Sequence, residues 1–345
     1  MSIQSYEKDQ RKYRAESEKK LSDLPIDFRY YFESMKSNSE KTRLDYIRYA
    51  ARFYDHCKNA LHLEDTQSFD IFAKARPEDI ESFLWKCNKS DRDAAQSTYN
   101  RNKNALSSLY GFMVRKHMIE SNPCKEFENG DPTKKEFEKE PLTSSEVEKL
   151  MHNVHYPDEL RVSVELREEL EKFKEMWLSF VGVALETGSR SGGLRQMTLN
   201  DINFETHTVR VVLKGGRLHY VPISQNTEEH LKNWFNQRRG ILEELGVETD
   251  RIFIKADGSD FDIQFINRRL KTFCKKNPYH QIKKNVTCHT LRHTTGTLIY
   301  KKTEDIYLVQ EILGHKNISS TTIYAKMSDE RKRSGLEAMT KLIYS

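Results

Sequence analysis

The sequence predicts a mainly α-helical protein with one small β-hairpin or sheet, divided into two domains. Along most of the chain, apolar residues recur at three- and four-residue spacing, the pattern of helices that bury one face. One stretch, THTVRVVL followed by K-G-G-R and LHYVPIS, instead alternates apolar and polar residues around a Gly-Gly pair, the pattern of a hairpin. A charged segment with three prolines and a glycine, Ser121–Pro141, interrupts a chain of 345 residues. Single cores stop growing at roughly 250 to 300 residues, so two packed units are expected on either side of that segment.

Residues 1–25 are polar, with six basic and five acidic residues before Pro25, and read as a mobile or loosely helical extension. Residues 26–122 form a helical domain. Its clearest helix is SEKTRLDYIRYAARFY, where Leu44, Ile47, Ala51 and Tyr54 share a face and Ser39 supplies the N-cap. A later helix, from about Ala94 to Lys116, sets Leu106, Leu109, Tyr110 and Met113 on one apolar face, with Arg101, Lys103 and Arg115 on polar positions. Residues 123–141 are the exposed linker.

The second domain, residues 142–345, opens with a capping box formed by Thr143 and Glu146. A buried helix follows at Met176–Leu185, then the hairpin, whose Gly215-Gly216 pair predicts a two-residue turn with Lys214 at its rim. From Asp262 onward the pattern is again helical, and Gly314 after I-Y-L-V-Q-E-I-L marks a helix end.

With 37% hydrophobic and 32% charged residues the chain is a globular protein and not a disordered one. Five cysteines at irregular spacing, none in a C-x-x-C pair, form neither a disulfide framework nor a zinc site, and a reducing cytoplasm is the expected setting, with nucleoid association in a bacterial host. The N-terminus has no apolar signal core and the longest apolar run is about half a membrane span, so no membrane role follows. Residues 281–345 hold eleven Lys and Arg against six Asp and Glu, an excess equal to the +5 of the whole chain. Such a local surplus suits a phosphate-binding surface but equally a solvated helix face.

Taken singly, the polar residues of the second domain have plain explanations. His289 and His293 in H-T-L-R-H have the i, i+4 spacing used for zinc, but position 290 is Thr and not the Glu that a metalloprotease needs, so no metal site is expected. Arg190 suits a surface, Lys214 a solvated turn, and Tyr324 a helical core. Together, in the order T-G-S-R, hairpin K-G-G-R, H-T-L-R-H, L-G-H and then a tyrosine nine residues after the histidine, they resemble the tyrosine recombinase (phage-integrase type) family. The matching positions are Arg190, Lys214, His289, Arg292, His315 and Tyr324.

The resemblance implies an N-terminal core-binding domain and a C-terminal catalytic domain that close as a C-shaped clamp on double-stranded DNA with inverted-repeat core sites. It implies a site-specific recombinase or integrase of a mobile element that works as a homotetramer through a Holliday junction, with an accessory excision or bending factor as a further partner and no cofactor or metal. Tyr324 would be the nucleophile that forms a 3′-phosphotyrosine. Arg190 and Arg292 would clamp the phosphate, Lys214 would be the general acid, His289 the general base, and His315 a hydrogen-bond donor to the transition state. Cleaving a phosphodiester without metal calls for such a set: a nucleophile, permanent positive charge at the non-bridging oxygens, and a proton for the departing 5′ oxygen.

One departure stands out: the acidic residue usual three positions after the first arginine is Gly193 here, and Arg195 is the nearest substitute for Arg190. His293 is expected to be structural. The tail beyond Tyr324 carries Leu336, Met339, Leu342 and Ile343 on one face, suited either to burial in its own domain or, as the resemblance implies, to docking on a neighbouring subunit. A type IB topoisomerase-like strand-passing enzyme and a catalytically silent DNA-binding protein are the competing readings.

Overall fold

The computed structural model describes residues 3–63, 68–86, 92–127, 140–213, 217–315 and 321. They fall into two compact units, one of Tyr6–Glu136 and one built from Phe137 onward. The N-terminal unit consists of α1 (Ile3–Leu21), α2 (Ile26–Ser34), α3 (Glu40–Asn59), the short α4 (Asp70–Ala73), α5 (Pro77–Lys86) and α6 (Arg92–Arg115). The stretch expected to be mobile or loosely helical is therefore a continuous helix. It is held because Leu21 enters the core, Glu18 pairs with Arg29 at 2.8 Å, and Gln10 Oε1 accepts from the Glu40 backbone N–H at 3.1 Å.

Ser39 caps α3 as its sequence predicts, its side chain accepting from the Thr42 N–H. Leu44, Ile47, Ala51 and Tyr54 are all buried. The core beneath them is aromatic: Phe28 meets Phe69 edge-on at 4.8 Å between centroids, and Phe53 stacks on Phe72 at 5.6 Å. Each such ring contributes about 1.5–3 kcal/mol through burial, and edge-on and offset contacts suit the ring quadrupoles. Two polar side chains drawn into this core find partners: Tyr110 Oη donates to the Phe72 carbonyl, and Arg43 donates to the Phe32 carbonyl while lying over the Phe32 ring.

The second unit begins with α7 (Ser144–His155), where both halves of the Thr143–Glu146 capping box are formed. After α8 (Val164–Lys172) comes α9 (Lys174–Thr187), buried along Met176–Ala184, with Trp177 and Phe180 among the largest enclosed side chains. It packs against α7, α11 (Gln225–Leu245) and α13 (Cys288–Thr303). A helix buried on all sides has no polar stripe, which is why its sequence reads as an apolar run.

Between α9 and α11 lie α10 (Ser191–Arg195) and a three-stranded antiparallel sheet, β1 (Ile202–Asn203), β2 (Thr208–Val212) and β3 (Leu218–Pro222), in that order. Asp201 fastens it: fully buried, it accepts from Thr198 N and Oγ1 and pairs with Arg210 Nε at 2.7 Å. The register pairs Val212 with Leu218, and Leu213 N–H donates to the Arg217 carbonyl at 2.8 Å. Residues 214–216, where the Gly-Gly pair predicts a two-residue turn, lie outside the described residues. α12 (Ile263–Lys275), α13 and α14 (Ile306–Leu313) complete the unit.

Cys57, Cys124, Cys274 and Cys288 are free and buried, and Cys87 lies outside the described residues. Among the described residues no helix is long and apolar enough to cross a membrane.

Candidate active site

Two helices of the second unit end in the same way, and their ends meet. α9 stops at Gly188 with φ +57° and α14 stops at Gly314 with φ +62°. Both residues occupy the left-handed region that glycine enters without steric cost. A Cβ on Gly188 would lie 2.3 Å from Leu313 Cδ2, and one on Gly314 would lie 2.5 Å from Leu213 Cδ1. The T-G-S-R turn, the L-G-H turn and the foot of the hairpin are thus in direct contact. Only hydrogen fits at either point.

Arg292, on α13, fastens the two ends together. Its Nη1 donates to the Gly188 carbonyl at 2.7 Å and its Nη2 to the Leu313 carbonyl at 2.8 Å. Carbonyls at helix C-termini carry the negative end of the helix dipole, so a permanently charged planar fork is well matched to a pair of them. Arg292 is only 4% exposed, and two of its five donors are committed to backbone. The hairpin is tied to the same place: His219 Nε2 lies 3.1 Å from the Ile312 carbonyl, and Arg217 Nη2 donates to the Gly314 carbonyl at 3.4 Å.

His315 leaves α14 directly after Gly314. Its backbone N–H donates to the Gln310 carbonyl and its own carbonyl accepts from Gln310 Nε2, while Nδ1 meets Thr321 Oγ1 at 2.8 Å. Burial first, then the charges of Arg292 and Arg190, push its imidazole down to about 4. At neutral pH the ring is uncharged and acts through hydrogen bonds.

Arg190, exposed at the start of α10, is near enough to contribute to that depression, whereas Arg195 turns away and donates to the Phe261 carbonyl at 3.2 Å. Gly193 is buried against β2, where an added Cβ would meet Val211 Cγ1 at 3.7 Å. His289, exposed on the first turn of α13, has its Nε2 at 3.0 Å from His293 Nε2.

Of the six residues singled out in the sequence, four fall within the described part of the chain. Arg292, Arg190 and His315 come together, with His289 three residues from Arg292 on the same helix. Lys214 and Tyr324 lie outside the described residues, as does the tail carrying Leu336, Met339, Leu342 and Ile343.

His293, expected to be structural, is within hydrogen-bond distance of His289; their i, i+4 spacing is what brings the rings together. One contact escaped sequence reasoning. Thr321, fully buried, buttresses His315 across six residues, and no periodicity announces such a contact.

The chain is similar to known proteins in sequence and in fold. The family model described as the phage integrase family matches residues 140–331. Tyrosine recombinase XerC of Bacillus subtilis (strain 168) is 26% identical over 306 residues, covering 88% of this chain and 91% of that protein. Tyrosine recombinase XerD of Halalkalibacterium halodurans is 28% identical over 256 residues, covering 74% of this chain and 79% of that protein. Among solved structures, a Tn1549 transposon integrase in complex with transposon right end DNA superposes with a TM-score of 0.63 at 16% identity, covering 91% of this chain and 99% of that one. XerH site-specific recombinase bound to difH substrate gives 0.60 at 21% identity, covering 90% and 83%. These two are likenesses of fold.

Proposed function

The chain belongs to the phage integrase family, the tyrosine recombinases, and from that premise we propose that it cleaves and rejoins double-stranded DNA for the integration and excision of a mobile element. The observation that carries the proposal is Arg292, whose guanidinium ties the turn leading to Arg190 to the turn leading to His315. Two arginines and an uncharged histidine thereby face one locality, as a phosphodiester in its transition state requires.

In the proposed reaction the Tyr324 phenol gives its proton to His289 and its oxygen attacks phosphorus. The bond to the 5′ oxygen breaks, and Lys214 Nζ supplies the proton that this oxygen takes up. The products are a 3′-phosphotyrosine and a free 5′ hydroxyl. Arg190 and Arg292 neutralise the non-bridging oxygens throughout. Thr321 Oγ1 is 2.8 Å from Nδ1 of His315; in this reading the hydroxyl donates to Nδ1, the ring proton sits on Nε2, and His315 is a neutral donor to the same oxygens. That role suits a ring whose pKa is held at about 4.

The phosphoester energy is kept in the tyrosine linkage, so a 5′ hydroxyl from another strand can reverse the step onto a new partner without ATP. Two rounds in a homotetramer give a Holliday junction and then recombinants. Relatives whose names and complexes speak of recombination, and of transposon DNA, support this reading over strand passage by a monomer. In that assembly both units would contact the duplex, and the C-terminal tail would dock on a neighbouring subunit.

The test is a nicked suicide duplex carrying the ends of the element that encodes the gene. Wild type is expected to form an SDS-stable protein–DNA adduct, and Tyr324→Phe to form none. An undiminished adduct in the variant, or none in the wild type, would overturn the assignment.

A further inference from the structure

On the part of the second unit formed by the end of α7 and the segment after α12, three side chains that play no part in the proposed reaction converge. His152 lies in the last turn of α7, Glu159 in the 3₁₀ turn Pro157–Glu159, and His280 between α12 and α13. One nitrogen or oxygen from each lies within 4.8 Å of the other two. His152 Nε2 is 2.9 Å from Glu159 Oε2, and the His152 and His280 rings are 4.2 Å apart between centroids.

The surroundings fix this arrangement. Asn277, fully buried, donates from Nδ2 to Glu159 Oε2 at 2.9 Å, and its Oδ1 accepts from the backbone N–H groups of Tyr279 and His280. Asn153, also fully buried, donates to the carbonyls of Phe273 and His280 at 2.7 and 2.9 Å. The His280 backbone is thus pinned on both sides, and Glu159 is oriented by an amide that is itself enclosed. Partners of this kind, which orient a carboxylate and a ligand-bearing loop, are what a metal site uses to preform its ligands.

We propose that His152, Glu159 and His280 form a binding site for one divalent transition ion of the zinc class. Two imidazoles and a carboxylate are borderline donors suited to such an ion, with water completing the coordination. Ligand bonds of about 2.0–2.1 Å place tetrahedral donors roughly 3.3 Å apart. Binding therefore replaces the His152–Glu159 hydrogen bond and draws the three groups slightly together. Side chains about one-third exposed, 33% for His152 and 32% for Glu159, leave the ion open to exchange with solvent. The bound ion would clip the end of α7 to the segment that leads into α13, the helix of His289 and Arg292. This makes it a conformational brace separate from the chemistry, and independent of whether the proposed reaction is correct.

The test uses the full chain stripped with a chelator and titrated with Zn²⁺ against a fluorescent competitor, with Co²⁺ absorption reporting the coordination. One ion per chain is expected, together with a visible Co²⁺ ligand-field band and a rise in unfolding temperature with Zn²⁺. His152→Gln and His280→Gln should each weaken binding at least about tenfold and abolish the rise. Glu159→Gln, which keeps an acceptor for Asn277, should do the same in a chain whose circular dichroism shows it folded. Absence of stoichiometric binding overturns the proposal. So does binding that survives these three changes and is lost only in His289→Gln or His293→Gln.

Discussion

The helical N-terminal unit and the turns around Arg292 are both well enclosed, yet they are held by opposite means. In the first, rings such as Phe28, Phe53, Phe69 and Phe72 are buried against one another, an attraction that scales with area and has little direction. In the second, one guanidinium reaches two carbonyls, two glycines admit two leucines, and a threonine holds a histidine ring. The first arrangement tolerates exchange of one apolar group for another of similar size. The second is specified atom by atom, and the difference locates where chemistry demands placement and where it demands only cohesion.

The contrast can be broken by experiment. Phe72→Ala is expected to cost about 3–5 kcal/mol in the N-terminal unit, the ordinary cost of an emptied aromatic site, while a separate unfolding transition of the catalytic unit stays in place; calorimetry that shows both transitions falling together would end the distinction. Arg292→Lys keeps the charge and loses the fork. Adduct formation in single turnover should then fall about 10²–10³-fold, and a loss under about tenfold would mean that charge alone suffices.

The smallest effect concerns pH. The folded state holds the His315 imidazole at about 4 against 6.5 for an unperturbed ring, so the stability that depends on its neutrality is complete above about pH 6.5 and is lost as pH falls towards 4. Because the ring is only half buried, screening reduces the loss to about 1 kcal/mol. Urea unfolding across that window should show wild type losing ground to His315→Gln. Parallel profiles would show that the ring carries no such penalty.

The same contrast explains what could be read from the sequence. Periodicity reports buried faces, so α6 and α9 were legible to within about two residues, and capping signals gave the starts of α3 and α7 and the helix end at Gly314. Motif order brought out Arg190, Arg292, His289 and His315 as a set. The structure adds that Arg195 is engaged elsewhere and that Gly193 is buried beside β2, with ordinary contact distance for a Cβ. Two features were out of reach. The first helix packs through scattered polar contacts that leave no apolar stripe. Thr321 acts through a single hydrogen bond across a turn, which no spacing rule encodes.

The contacts at Gly188 and Gly314 also bear on how such a protein can drift over generations. Leu313 covers the first glycine, Leu213 covers the second, and Leu313 and Gly314 are neighbours in the chain. A larger residue at either glycine meets two obstacles, the opposing leucine and a left-handed backbone that only glycine enters without cost, so trimming the leucine removes just one of them. Lineages should therefore keep both glycines while the leucines drift only to side chains that still fit over a bare Cα, and the surface of the protein can diverge widely around these two fixed points.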